Sequence, residues 1–178
     1  MPGAGKTMMA AFVIDHLFGT IRNVTNGVTY IFCNYGEQRD QNATGLRGAI
    51  LQQLVRAQRL IPEPVLRLYE YHSGRGTRSS LQEISDTLHT IFSNYSKVYV
   101  VVDTLDECAD DGTCAKLLTT IRSLQKESST DLRLMVTSRS IPNIEEKSKG
   151  ELTLKVRASE EDVKRFIACQ IYRLLEAV

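Results

Sequence analysis

The residues with the most legible chemistry stand at the start of the chain: Pro2-Gly3-Ala4-Gly5-Lys6-Thr7, followed at once by Met8, Met9, Phe12, Val13 and Leu17 at helical spacing. They have the make-up of a phosphate cradle. In a G-x-x-x-x-G-K-[ST] loop, small residues let backbone N–H groups converge on a phosphate, and the helix that follows presents its positive end to the same anion. Lys6 would reach the β- and γ-phosphates, and the Thr7 hydroxyl would take a coordination position on Mg2+. Gly3, Ala4, Gly5, Lys6, Thr7 and Met8 are therefore the residues expected against a nucleoside triphosphate, ATP or GTP. The first glycine of the full pattern, and the strand that feeds such a loop, are expected before Met1. Taken alone, Gly-Ala-Gly-Lys-Thr is also the composition of a glycine-rich turn ahead of an ordinary helix. A second motif, far along the chain, favours the cradle.

That second motif is Val98-Tyr99-Val100-Val101-Val102 running into Asp103-Thr104-Leu105-Asp106-Glu107. A continuously apolar run, rich in β-branched residues, suits a parallel strand covered on both faces. A carboxylate at the C-terminal end of such a strand points into the crevice where open α/β sheets place their ligands. Asp103 is thus placed to hold Mg2+ beside Thr7. Asp106 and Glu107 lie just beyond and would orient an attacking water, with Glu107 the preferred of the two. The bland alternative makes Asp103 to Glu107 the acidic start of the next helix, favoured by its dipole. A third strand, Leu132-Arg133-Leu134-Met135-Val136, ends in Thr137-Ser138-Arg139. Arg139 at that tip would sense or stabilise γ-phosphate charge, unless it is only a surface arginine.

These groups need rigid elements to carry them, and the rest of the chain supplies an alternation of helices and strands. The first helix is expected to end near Gly19. Val28 to Asn34 reads as a strand, Thr44 to Val55 as a helix stopping before Pro62, and Val65 to Tyr71 as a short helical piece. Ser73 to Ser79 is a glycine-containing loop whose Arg75 and Arg78 are alternatively phosphate ligands or solvated. Ser80-Leu81-Gln82-Glu83 has the form of a capping box opening a helix that ends near Asn94. Cys114 to Leu124 gives a further amphipathic helix, and Leu152 to Val156 alternates as a last strand nearer the sheet edge. Ser159 to Asp162 would cap a final helix carrying Phe166, Ile167, Ile171 and Leu174, which either opens a further subdomain or packs back on this one.

With 178 residues, a 42% hydrophobic share, 24% charge and a net charge of +1, the chain is an ordinary globular domain with no electrostatic case for nucleic acid or anionic membrane. Expected partners are a nucleoside triphosphate and proteins. No apolar run spans a bilayer and the start lacks a secretory layout, which predicts a cytoplasmic location. Cys33, Cys108, Cys114 and Cys169 are scattered without C-x-x-C pairs, so buried free thiols are expected rather than a zinc site or disulfides.

The set Pro2 to Thr7, Tyr30-Ile31-Phe32-Cys33-Asn34-Tyr35, Val100 to Cys108 and Val136-Thr137-Ser138-Arg139-Ser140-Ile141-Pro142 resembles the NACHT domain of fungal NOD-like receptor proteins, a STAND-class P-loop NTPase. The resemblance implies a three-layer α/β P-loop fold with a mostly parallel sheet, its loop-feeding first strand absent from this chain. It implies a nucleotide-binding domain over residues 1–157 and the first helix of a helical subdomain over residues 158–178. It also implies a weak NTPase acting as an oligomerisation switch, with self-association or effector domains in a full-length protein and a role in non-self recognition or cell death. A P-loop kinase or metabolic ATPase, and a non-catalytic remnant acting as an interaction module, stay open as alternatives at this point.

Overall fold

The computed structural model describes residues 5–21, 25–37, 41–108, 112–140, 144, 150–155, 159, 161 and 164. Three strands form its sheet: β1 (Asn26–Phe32), β2 (Lys97–Asp103) and β3 (Asp131–Val136), in the order β1-β2-β3. All pairings are parallel, with Phe32 opposite Asp103 and Val102 opposite Val136, so the three strands end level. Among the described residues, they are connected and covered by the helices α1 (Lys6–Thr20), α2 (Ala43–Arg56), α3 (Glu63–Ser73), α4 (Leu81–Phe92) and α5 (Thr113–Glu127).

The alternation of side chains along β2 explains the layering. Val98, Val100 and Val102 face a large core with Ile50 and Leu54 of α2, Leu88, Ile91 and Phe92 of α4, and Leu117 and Ile121 of α5. Val101 faces the opposite way, onto Ala10 and Ile14 of α1. A strand whose side chains are taken out of water on both faces must be apolar throughout, which is what its valine run encodes.

Local chemistry sets the element ends. The Asn42 side chain accepts from Gly45 N–H and starts α2; Ser80 and Glu83 close the expected capping box on α4. Pro64 sits in the first turn of α3, where its missing N–H costs nothing. Gly27 lets β1 approach the core closely, since a Cβ there would lie 2.7 Å from Leu54 Cδ2, in a region pinned by the Tyr95 hydroxyl donating to Leu54 O at 2.6 Å. Arg47 of α2 is buried and donates to Ser85 Oγ at 2.9 Å and Lys116 O at 3.1 Å, tying α2 to α4 and α5.

The two lateral edges of the sheet differ. On β1, the Gln53 side-chain amide donates to Tyr30 O and accepts from Tyr30 N–H, both at 2.9 Å. Gln41 continues the row, donating to Phe32 O at 3.1 Å and accepting from Asn34 N–H at 2.9 Å. Each glutamine imitates the peptide group of a neighbouring strand. No such side chain is found along β3 among the described residues.

Two expectations are corrected here. β1 begins and ends two residues before the expected Val28 to Asn34; its end is set by Asn34, which turns the chain by accepting from Gly36 N–H at 3.0 Å through its side chain. The last strand does not form over Leu152–Lys155: the alternating pattern is there, but these residues pair with no strand among the described residues, and Leu152 and Leu154 stand exposed. Val156, the boundary at residues 157 and 158, and most of the expected final helix lie outside the described residues. Cys33 and Cys108 are buried free thiols as expected; the side chains of Cys114 and Cys169 also lie outside.

Candidate functional site

The level strand ends gather most of the expected site residues. Asp103, the last residue of β2, is 1% exposed. The Thr137 hydroxyl, just past β3, donates to Asp103 Oδ1. No hydrogen bond to Asp103 Oδ2 is found among the described residues, which leaves the second oxygen of this buried residue open as a ligand.

Thr104 makes the next bend. Its φ of 52° is left-handed, an uncommon and strained conformation for a β-branched residue. Two hydrogen bonds hold it there: its hydroxyl donates to Cys33 O at 2.6 Å, beyond β1, and its N–H donates to Thr137 Oγ1 at 2.9 Å. Leu105 N–H then donates to Thr137 O at 2.9 Å, and Leu105–Glu107 form a single 3-10 turn. Thr104 thereby stitches all three strand tips together and aims the acidic turn back over β3. Nothing in the sequence marks it; a positive φ at threonine has no compositional signal.

Within that turn, Asp106 is nearly buried, accepting from Arg139 N–H at 2.8 Å on one oxygen and lying 3.1 Å from Arg139 Nε on the other. Arg139 also reaches Glu107, with a terminal guanidinium nitrogen 3.4 Å from Oε1. Asp106, Glu107 and Arg139 are therefore one cluster, linked to Asp103 through Thr137. Arg139, expected to face a phosphate, is here held by the two acidic residues.

The lysine-bearing segment is described from Gly5 onward; Gly3 and Ala4 lie outside. Gly5 precedes α1 with φ 71°, a conformation that a glycine adopts without strain. Unlike α2 and α4, α1 has no side-chain cap, and its first turn carries no acidic residue, so its leading amides meet no competing oxygen from these sources. Lys6, half-buried, and Thr7 and Met8, exposed, form that turn. They head the helix whose following turns rest on Val101, in the strand that ends in Asp103. Among the described residues no hydrogen bond or ion pair joins Lys6 or Thr7 to Asp103.

These groups fit a Mg2+–triphosphate. A threonine hydroxyl and an open carboxylate oxygen are the hard ligands Mg2+ prefers, and it commonly takes only one or two from protein while phosphates and water fill the rest. No group of three or more His, Cys, Asp or Glu residues is placed to bind a metal among the described residues. No described helix is long and apolar enough to cross a membrane.

Residues 1–139 match the model of the family described as Nephrocystin 3, N-terminal. Over 169 residues, 88% of this chain, the sequence is 30% identical to vegetative incompatibility protein HET-E-1 of Podospora anserina. The chain spans only 12% of that relative's length. Among solved structures it resembles the Orc1 protein of Aeropyrum pernix, determined in complex with DNA, with a TM-score of 0.55 at 16% identity, over 96% of this chain and 41% of that one. At that identity the likeness speaks for the fold alone, an α/β architecture of helices around a parallel sheet.

Proposed function

The chain belongs to the Nephrocystin 3 N-terminal family and is a NACHT-related, P-loop NTPase-like domain, and on that premise we propose that it is the nucleotide-binding core of a signal-transducing NTPase. In this reading ATP or GTP, with Mg2+, sets an oligomerisation switch in a longer protein. The name of the Podospora relative, a vegetative incompatibility protein, supports placing that signalling in non-self recognition or cell death. The observation that carries the proposal is the buried Asp103, one oxygen fixed by Thr137 and the other open, at the end of a strand against which the Lys6-Thr7 helix packs.

Each residue has a distinct task in this reading. Gly3, Ala4 and Gly5 let backbone amides approach phosphate, Lys6 pairs with its charge, and Thr7 and Asp103 hold Mg2+. Mg2+ supplies neutralisation of the triphosphate's charge. Glu107 orients a water and accepts its proton. Thr137 keeps Asp103 in its rotamer, and Arg139 offers a positive charge at the strand tip.

Titration of the 178-residue chain with fluorescent ATP and GTP analogues tests this. Saturable binding is expected for at least one, and Lys6→Ala should abolish it. A chain that is folded by circular dichroism yet gives no saturable signal with either would overturn the proposal.

A further inference from the structure

The two acidic residues of the 3-10 turn are not equivalent. The Asp106 side chain is 4% exposed, and both of its oxygens are committed to Arg139: one accepts the backbone N–H at 2.8 Å, the other lies 3.1 Å from Nε. Glu107 meets the same guanidinium with one oxygen at the longer distance of 3.4 Å, and its side chain is 28% exposed. A carboxylate that activates water needs access to where the water sits, and Asp106, with its side chain 4% exposed, lacks it. What it does have is a two-point, charge-assisted grip on the residue that follows Thr137 and Ser138.

That grip reaches further than Arg139. The same segment is tied to the turn by Leu105 N–H donating to Thr137 O and by Thr104 N–H donating to Thr137 Oγ1, both at 2.9 Å. The Thr137 hydroxyl in turn donates to Asp103. Fixing Arg139 therefore also fixes the hydroxyl that orients the proposed metal ligand.

Resting on the NTPase reading above, we propose that Asp106 is a positioning residue: it holds the β3 tip and the Arg139 guanidinium in register with the site, and water activation belongs to Glu107 alone. Its loss is then felt where Arg139 acts, in discrimination of a terminal phosphate, rather than in the proton-transfer step.

The test compares Asp106→Asn, Arg139→Gln, their double variant and Glu107→Gln. For each, the Kd for nucleoside triphosphate and for diphosphate is measured with Mg2+, alongside kcat. Asp106→Asn should weaken triphosphate binding by about 10-fold while diphosphate binding changes by less than about 2-fold, matching Arg139→Gln, with the double variant no worse than either single change, because coupled residues are not additive. Glu107→Gln should lower kcat and leave the Kd ratio alone. A fall in kcat for Asp106→Asn with an unchanged Kd ratio would overturn the proposal, as would Asp106 and Arg139 effects that multiply. A nucleotide-free arm separates this from the parent reading: in urea unfolding the two single changes should again be non-additive. Additive losses there overturn the grip itself. If wild-type protein binds no nucleotide, the NTPase reading falls and takes the phosphate-discriminating role with it, whereas non-additive unfolding would still uphold the contact.

Discussion

Thr104 illustrates how much one residue carries at this site. A β-branched residue at φ 52° costs on the order of 1–3 kcal/mol, and the structure offsets that with bonds to Cys33 O and Thr137 Oγ1. Thr104→Val keeps the shape and the strain but removes the hydroxyl donor, so unfolding free energy in urea should fall by about 1–3 kcal/mol. An unchanged midpoint would mean the hydroxyl is not bonded in solution. At Glu107, the substitution Glu107→Gln should slow hydrolysis by roughly 10²-fold with nucleotide affinity preserved, since it removes the base and leaves the cradle. Fluorescent-nucleotide binding beside a phosphate-release assay checks both halves. At this scale Asp103, Asp106, Glu107 and Arg139 were legible because strand ends in a parallel sheet converge, so residue type and position together suffice. The pairing of Arg139 with the acidic turn was not legible, because it depends on Thr104 bending the chain by a left-handed step that composition does not announce.

Among the elements, α4 is the one whose start chemistry is open to a pH experiment. Glu83 is held below the ordinary carboxylate range, first by Ser80 N–H and the Ser80 hydroxyl and then by nearby His72. A depressed folded-state value means the contribution is present above the unfolded value and lost as pH falls through the folded one. Wild type and Glu83→Ala should therefore differ in urea midpoint at neutral pH, and the difference should shrink below about pH 4. A gap that stays constant would show that the carboxylate charge plays no part. β1 offers a packing test: Gly27→Ala pushes a methyl into Leu54 and should cost about 1–3 kcal/mol, read in the same assay. The helices could be read from their period of 3.6, and β2 from its continuously apolar run Val98-Tyr99-Val100-Val101-Val102. The boundaries of β1 could not, since an Asn34 side-chain turn outweighed the β propensity of its neighbours. Leu152–Lys155 shows the opposite failure, a strand pattern that stays unpaired and exposed among the described residues.

For the molecule as a whole, ligand linkage is the sharpest consequence. If the native state binds a triphosphate and the unfolded chain does not, nucleotide at 100 times its Kd should add about 2.7 kcal/mol to stability. Thermal unfolding with Mg2+ and increasing ATP or GTP should thus show a rising midpoint, and Lys6→Ala should remove the rise. The layered α/β class was legible from the helix and strand alternation. The division of labour between faces, α1 alone on one side and α2, α4 and α5 on the other among the described residues, emerges only from contacts. Gln53 and Gln41, lying along β1, carry a final implication. A sheet flank already answered by amide side chains cannot zip onto its copy, so crowding many such domains together would not by itself seed a cross-β fibre from that flank. Reversible assembly would fall to other surfaces, and Gln53→Leu, which strips the guard from Tyr30, should make the protein scatter light sooner on gentle heating.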